Sequence, residues 1–201
     1  MISRNIGLSS ALVIGSLIGG ATLAITLPAS AIATLPALAA VSETSAAAVT
    51  WESWSVPELF EIDVPTGWVT TALTNPDQAI VASYDAMTQT PGPTDVMTAI
   101  TIVSEPPEMY VSATLDGLIE AALAGEYEID RYGITSVGGN DAFRIWLVQY
   151  PGDFSQQAIT FVGDGQGRTA QITSSYNDDS ATTRDLIVQM HGSFRFDSSE
   201  E

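Results

Sequence analysis

Phe60, Ile62 and Val64 alternate with Glu61 and Asp63, and the alternation stops at Pro65-Thr66-Gly67. A period of two predicts a strand with one buried face. Pro65 at the second position of a turn and Gly67 at the fourth fit type I geometry. Trp68 then restarts a strand through Leu73, which the tight turn places beside residues 60–64, with the indole in the core against a helix. Ala79–Tyr84 and Val96–Val103 read as two more strands, separated by the turn-rich TQTPGPTD. The period then changes. In SATLDGLIEAALAG, Leu115, Leu118, Ile119, Ala122 and Leu123 fall at i, i+3, i+4, i+7 and i+8, the stripe of an amphipathic helix. Ser112 is its expected N-cap and Gly125 its stop. Leu115, Leu118, Ile119 and Leu123 are expected to be buried.

Further along, residues 127–132 lead to a Gly138-Gly139-Asn140-Asp141 turn and the strand DAFRIWLVQY. Phe143, Ile145 and Leu147 share one face of it, Trp146 and Val148 the other, so it reads as a central strand covered on both sides. QQAITFV and RTAQITSS form a hairpin around GDGQG. A second helix runs from about Ser180 to Met190, burying Leu186, Ile187 and Met190. GSFRF closes the pattern with Phe194 and Phe196 on one face.

The N-terminal hydropathy is of another kind. Residues 6–27 are continuously apolar or small, with Arg4 before them and Ala29-Ser30-Ala31 after Pro28. These are the three parts of a secretory signal peptide, expected over 1–31 with cleavage as late as 40, at Ala37-Leu38-Ala39. An uncleaved anchor is the alternative, because the apolar run is long enough to span a bilayer. A flexible linker is expected over 32–54, clearest at VSETSAAAVT. A single domain follows over 55–196, and then an acidic tail over 197–201.

Composition narrows the function. The 201 residues hold no cysteine, which removes disulfides, thiolate nucleophiles and Cys-ligated metal. Acidic residues number 24 against 6 basic, for a formal charge of −18, and every basic residue is arginine. Loss of the leader takes away Arg4 and no acid. Such a surface repels nucleic acid and anionic lipid, so neither is expected as a partner. It suits high salt, where screening shortens self-repulsion, and equally suits simple solubility.

FEIDVPTGW at 60–68, the helix at TLDGLIEAAL, GITSVGGNDAFRIWLV at 133–148 and LIVQMHGSFRF at 186–196 occur in an order and spacing that resemble the PsbP-like superfamily. That superfamily takes in DcrB-like proteins and LpqN-type lipoproteins. The resemblance covers about residues 55–196. It implies an α+β fold, a mainly antiparallel β-sheet with helices packed on both faces. It also implies a non-enzymatic accessory or assembly role through protein contact, in the periplasm, thylakoid lumen or extracellular space, with a photosystem among the machinery such relatives dock on. Docking of the photosystem subunit itself leans on lysines, which this chain lacks. A monomer without a membrane span after signal cleavage is expected.

No catalytic, cofactor-binding or metal residue is assigned from the sequence, and no cofactor is expected. His191 is the lone histidine. At the end of a helix it reads as a cation favoured by the helix dipole. A secreted hydrolase pairing it with Ser193 or an aspartate is the rival. GDGQG at 163–167 lacks the following helix that a dinucleotide loop needs. Asn177-Asp178-Asp179 offers oxygen ligands for a hard cation, which keeps a cation-binding envelope domain open, or else caps the second helix. Arg131, Arg144, Arg168 and Arg195 are expected to find acidic partners. Arg144, between apolar neighbours, must be paired as a structural element or as a pocket floor.

Overall fold

The computed structural model describes residues 48–75 and 77–197. The expected leader, most of the linker and the last four residues of the tail lie outside them. Ten strands and two helices follow one another: β1 (Trp51–Val56), β2 (Phe60–Pro65), β3 (Val69–Ala72), β4 (Gln78–Ala82), β5 (Val96–Val103), α1 (Pro107–Leu123), β6 (Glu128–Val137), β7 (Asn140–Val148), β8 (Gln156–Gly163), β9 (Thr169–Tyr176), α2 (Ala181–Gly192) and β10 (Arg195–Phe196). Among these residues no helix is long and apolar enough to cross a membrane.

The strands form two sheets, ordered β1-β2-β10 and β3-β4-β5-β9-β8-β7-β6. All their pairings are antiparallel. The fold is therefore α+β and antiparallel.

The alternation in β2 is kept. Phe60, Ile62 and Val64 are buried, while Glu61 and Asp63 are half-buried. Their apolar face meets Val81, Ile100, Val162 and Ile172 of the large sheet, with Met190 and Phe194 between. This is sheet-on-sheet packing through alternating residues. The linker expected over 32–54 is corrected at its end. Trp51–Trp54 belong to β1, which pairs from Trp51 against Pro65, because Trp51 and Trp54 pack on this same core.

A second correction falls at Pro65–Trp68. The Trp68 amide donates to the Pro65 carbonyl at 3.1 Å. Pro65 is thus the first residue of the turn and Gly67 the third. Gly67 has φ 87, the positive value that type II, and not type I, requires there. The strand after it does not return beside β2. It pairs with β4 in the other sheet. The turn is a crossover between sheets, and Trp68 stands half-buried at the seam, packed on both adjoining clusters.

On β7, Ala142 and Trp146 join the clusters that contain α2's Met190 and Ile187, with half-buried Leu186 against the latter. Ile145 and Leu147 join the cluster that packs Val111, Leu115 and Leu118 of α1.

Helix α1 starts earlier than expected. Pro106 occupies the cap with Pro107 behind it, and Ser112 lies inside the helix. Proline at the first helical position presets φ, and Glu108 in the first turn suits the dipole. The stripe is also less buried than its pattern predicts. Leu115 and Leu118 are half-buried, whereas Ile119 is 45% and Leu123 84% exposed. The helix touches the large sheet through the strands that carry Ile145, Leu147, Ile159 and Phe161, so the outer part of its stripe meets no wall.

Candidate functional site: a polar chain inside the core

His191 is fully buried in the last turn of α2. Its Nδ1 lies 2.8 Å from Thr160 Oγ1 on β8, and its Nε2 lies 2.8 Å from Ser174 Oγ on β9. Ser174 Oγ is in turn 2.6 Å from Thr98 Oγ1 on β5. At the other end Arg144 Nε donates to Thr160 Oγ1 at 2.8 Å. Five side chains from four strands and one helix thus form a continuous polar chain, and all five are buried.

Local sequence explains the placement. On β5, residues 96, 98, 100 and 102 face inward, so Thr98 sits in the phase of Val96 and Ile100. Thr98 is opposite Ser174 in the register, and Arg144 is opposite Thr160. Helix α2 lays His191 over the two hydroxyls that face it. Ser180 caps that helix, accepting from the Thr183 amide at 3.2 Å.

Proton positions follow from the donors. Arg144 can only donate, so it occupies one lone pair of Thr160 Oγ1. The remaining described partner of that hydroxyl is His191 Nδ1, which therefore receives its proton. A neutral imidazole then carries its hydrogen on Nε2 and donates to Ser174, which donates to Thr98. Burial first, and the positive charge of Arg144 second, hold the His191 pKa well below its ordinary value. The ring is neutral near pH 7. The dipole-bound cation expected at this position is corrected: desolvation outweighs a helix-end attraction of about 0.3–1 kcal/mol.

The His191–Ser174 distance is that of a base and a nucleophile, but the arrangement does not serve hydrolysis. Nε2 bears the proton and cannot take one from Ser174. Among the described residues a threonine hydroxyl, and no carboxylate, meets Nδ1, the place where a triad carries its acid. The ring is sealed from any substrate. Ser193, the serine nearest in sequence, accepts from the Asp63 amide at 2.9 Å and donates to the Met190 carbonyl at 2.7 Å.

The remaining candidates are engaged locally. Asp164 Oδ1 accepts from the amides of Gln166 and Arg168 at 2.7 and 3.0 Å, and Oδ2 from Arg168 Nε at 2.6 Å. The amides of the glycine loop are thus turned onto its own carboxylate; burial raises the Asp164 pKa, and these bonds with the Arg168 charge together outweigh it and hold the pKa low. Strand β9 follows, not a helix. Asp178 accepts from the Ser180 amide, the Ser180 hydroxyl and the Thr183 hydroxyl. Asp179 pairs with Arg184 at 3.2 Å. Asn177 bonds the backbone of Ser155 and Asp153. Among the described residues no cluster of three or more His, Asp or Glu side chains could hold a metal ion.

Arg168, Arg195 and Arg131 have the acidic partners expected of them, Asp164, Glu61 and Asp130. Arg144 does not. Among the described residues its partner is a threonine hydroxyl, and burial and nearby Arg131 lower its pKa. Thr98, Thr160 and Ser174 escaped the sequence reading. Their signal was a hydroxyl residue in the inward phase of a strand.

Comparison with known proteins follows from the fold. No family model matches the chain, and no curated protein matches it. Its fold is similar to the solution structure of cyanobacterial PsbP from Synechocystis. That match has 14% identity and a TM-score of 0.49, over 79% of this chain and 98% of that one. It is also similar to a Pseudomonas aeruginosa protein of unknown function, titled a putative regulator. Here identity is 11% and the TM-score 0.40, over 71% of this chain and 94% of the other. At such identities the likeness extends to the fold alone.

Proposed function

We propose that this chain is an exported, non-enzymatic accessory or assembly domain that works by protein contact outside the cytoplasmic membrane. It is read as a sandwich with α1 and α2 on opposite faces of the large sheet. One observation carries the functional reading. The single imidazole is committed to the core, while Met109, Ile119 and Leu123 of α1 and Tyr132 and Ile134 of β6 stand exposed. With no cysteine, no lysine and the one imidazole buried, a nucleophile or base at the surface would have to be a carboxylate or a hydroxyl. Large apolar side chains gathered on two adjoining elements mark a place for another molecule. The charge of −18 turns away nucleic acid and anionic lipid, leaving protein as the partner. The leader-like residues 1–31 support export.

The test is in the native host. A C-terminally tagged full chain should appear in the extracytoplasmic fraction, with a mature N-terminus between residues 31 and 40 by intact mass. Cross-linking there should join it to a defined protein. Hydrolysis of ester, peptide or glycoside substrates that disappears in a folded His191→Ala variant would overturn the reading.

A further inference from the structure

Helix α1 and strand β6 border an open groove of about 490 Å³, lined by Pro107, Val111, Leu115, Ile134, Phe143 and Phe161. The helix runs antiparallel to β6. Its first turn shares the groove with Ile134, and near its other end the Leu118 carbonyl accepts from the hydroxyl of Tyr127, just before β6. Leu115, Ile119 and Leu123 follow one another at intervals of four and make one row along the helix. Tyr132, whose ring lies 6.1 Å from that of Phe143, and Ile134, opposite Phe143 in the register, make the other wall. Ile134 is 86% and Tyr132 72% exposed.

The shape selects the occupant. Strand β6 ends the large sheet, and α1 rests over β7 and β8, so among the described residues the face of the last strand carries no layer. Neighbouring helices pack about 8–10 Å apart, and two strands span roughly the same width. A second helix laid beside α1 would therefore rest on Ile134 and Tyr132 and touch the Leu115–Ile119–Leu123 row. Charge selects its chemistry. Glu108 and Asp141 line the groove, and exposed Asp116 and Glu120 lie on the same helix as Glu108. A second copy of this chain would bring like charges to this rim.

The geometry points to this groove as the docking site for an amphipathic helix of a partner protein, with Leu or Ile along its inner face and Lys or Arg at its flanks. The inference deepens the protein-contact reading above and rests on it.

The probe is a synthetic 18-residue helix with leucine on one face and lysine at the flanks, titrated into the mature chain and followed by fluorescence anisotropy. Ile134→Asp should weaken binding roughly tenfold or more, the loss of one buried apolar anchor. Val69→Asp, on the opposite edge strand and 40% exposed, should leave binding unchanged. General attraction to an acidic protein predicts the reverse for Ile134→Asp, since the substitution adds a negative charge. The same helix with glutamate flanks should not bind. Equal binding by Ile134→Asp, equal weakening by Val69→Asp, or equal binding of the glutamate helix would each overturn the assignment. So would a dimer in sedimentation velocity that Ile134→Asp converts to monomer, which assigns the groove to a second copy. Vesicles of anionic lipid that bind the wild type and not Ile134→Asp would assign it to a membrane instead. In the native host, a cross-linked partner retained by Ile134→Asp removes this groove and leaves the protein-contact reading standing. Absence of any partner for wild type and variant removes both.

Discussion

His191 Nδ1 and Thr160 Oγ1 stand 2.8 Å apart inside the core, and the same threonine oxygen receives Arg144 Nε. One hydroxyl thus serves a neutral ring and a buried cation. Thr160→Val keeps the shape and leaves both without that partner. We expect a loss of about 2–4 kcal/mol in urea unfolding, the cost of orphaning buried polar groups, one of them charged. Thr160→Ser should recover most of it. A loss below about 0.5 kcal/mol for the valine variant, the range of ordinary surface changes, would show that the chain of hydrogen bonds is not formed.

The same chain fixes the tautomer. Because the Arg144 bond leaves the Thr160 proton for Nδ1, Nitrogen-15 NMR of the single histidine should show the hydrogen on Nε2. Both ring nitrogens sit 2.8 Å from hydroxyls, so distance alone does not decide it. Hydrogen on Nδ1 would mean that Thr160 donates elsewhere.

A pH dependence follows, with a definite sign. The folded pKa of His191 lies well below its ordinary value, and in the unfolded chain it returns to about 6.5. Below pH 6.5 the unfolded state takes up a proton that the folded state refuses. Stability contributed by the neutral ring is therefore complete above about pH 6.5 and falls as the pH drops. The fall is up to roughly 1.4 kcal/mol per unit, until the folded pKa is reached. His191 is the one histidine of the chain, and imidazole is the side chain whose ordinary pKa falls next to that window. The lowered Asp164 carboxyl acts only at lower pH, across its own titration. Chemical denaturation at pH 7 and pH 5.5 should show the drop in wild type and its absence in a folded His191→Gln variant.

How far the sequence reaches is clear from individual residues. The alternation at Phe60, Ile62 and Val64 marks a buried face whatever lies opposite, and β5 runs over the Val96–Val103 read from its pattern. GDGQG joins two strands that are neighbours in sequence, so turn chemistry is enough. The destination of β3 was not legible. A four-residue turn can return the chain beside its own strand or pass it to another sheet, and only Gly67's φ and distant Ala79–Ala82 decide. The pairing of Phe60 with Phe196 is just as remote. Leu123 matched the helix period because period reports a face and says nothing of how wide the opposing wall is. His191 matched a helix end, whereas its burial depends on hydroxyls from two other elements, Thr160 on β8 and Ser174 on β9.

Helix α1 is seated on a glycine. A Cβ placed on Gly163 would collide with Pro107 Cγ and come within 3.1 Å of Pro107 Cδ. The end of β8 is thus held against the first residue of α1, which the Thr169 hydroxyl reinforces by donating to the Glu105 carbonyl at 2.7 Å. Pro107 has a rigid ring, so Gly163→Ala must displace the start of the helix. We expect a loss of about 1–3 kcal/mol, the usual range for overpacking. Amide exchange should rise first in α1.

Gly67 and Trp68 carry the passage between the sheets, and they can be tested separately. At Gly67 nothing would meet a Cβ, so Gly67→Ala adds only the strain of a left-handed residue, φ 87. That strain is about 1–2 kcal/mol. Trp68→Ala removes a half-buried indole packed on the clusters around Phe60 and Trp146. Full burial of an aromatic side chain is worth about 3–5 kcal/mol on truncation, and half-burial scales this to roughly 2. The two changes act on different things, backbone strain and packing at the seam. They are joined through one peptide unit, so the double variant should depart from the two losses combined by about 0.5 kcal/mol or more. Equilibrium unfolding of the three variants checks this. A Trp68→Ala chain as stable as wild type would place the indole outside the core. Its half-exposed ring would then be free for a partner, and the seam between the sheets would be held by Phe60, Ile62 and Val64 without it.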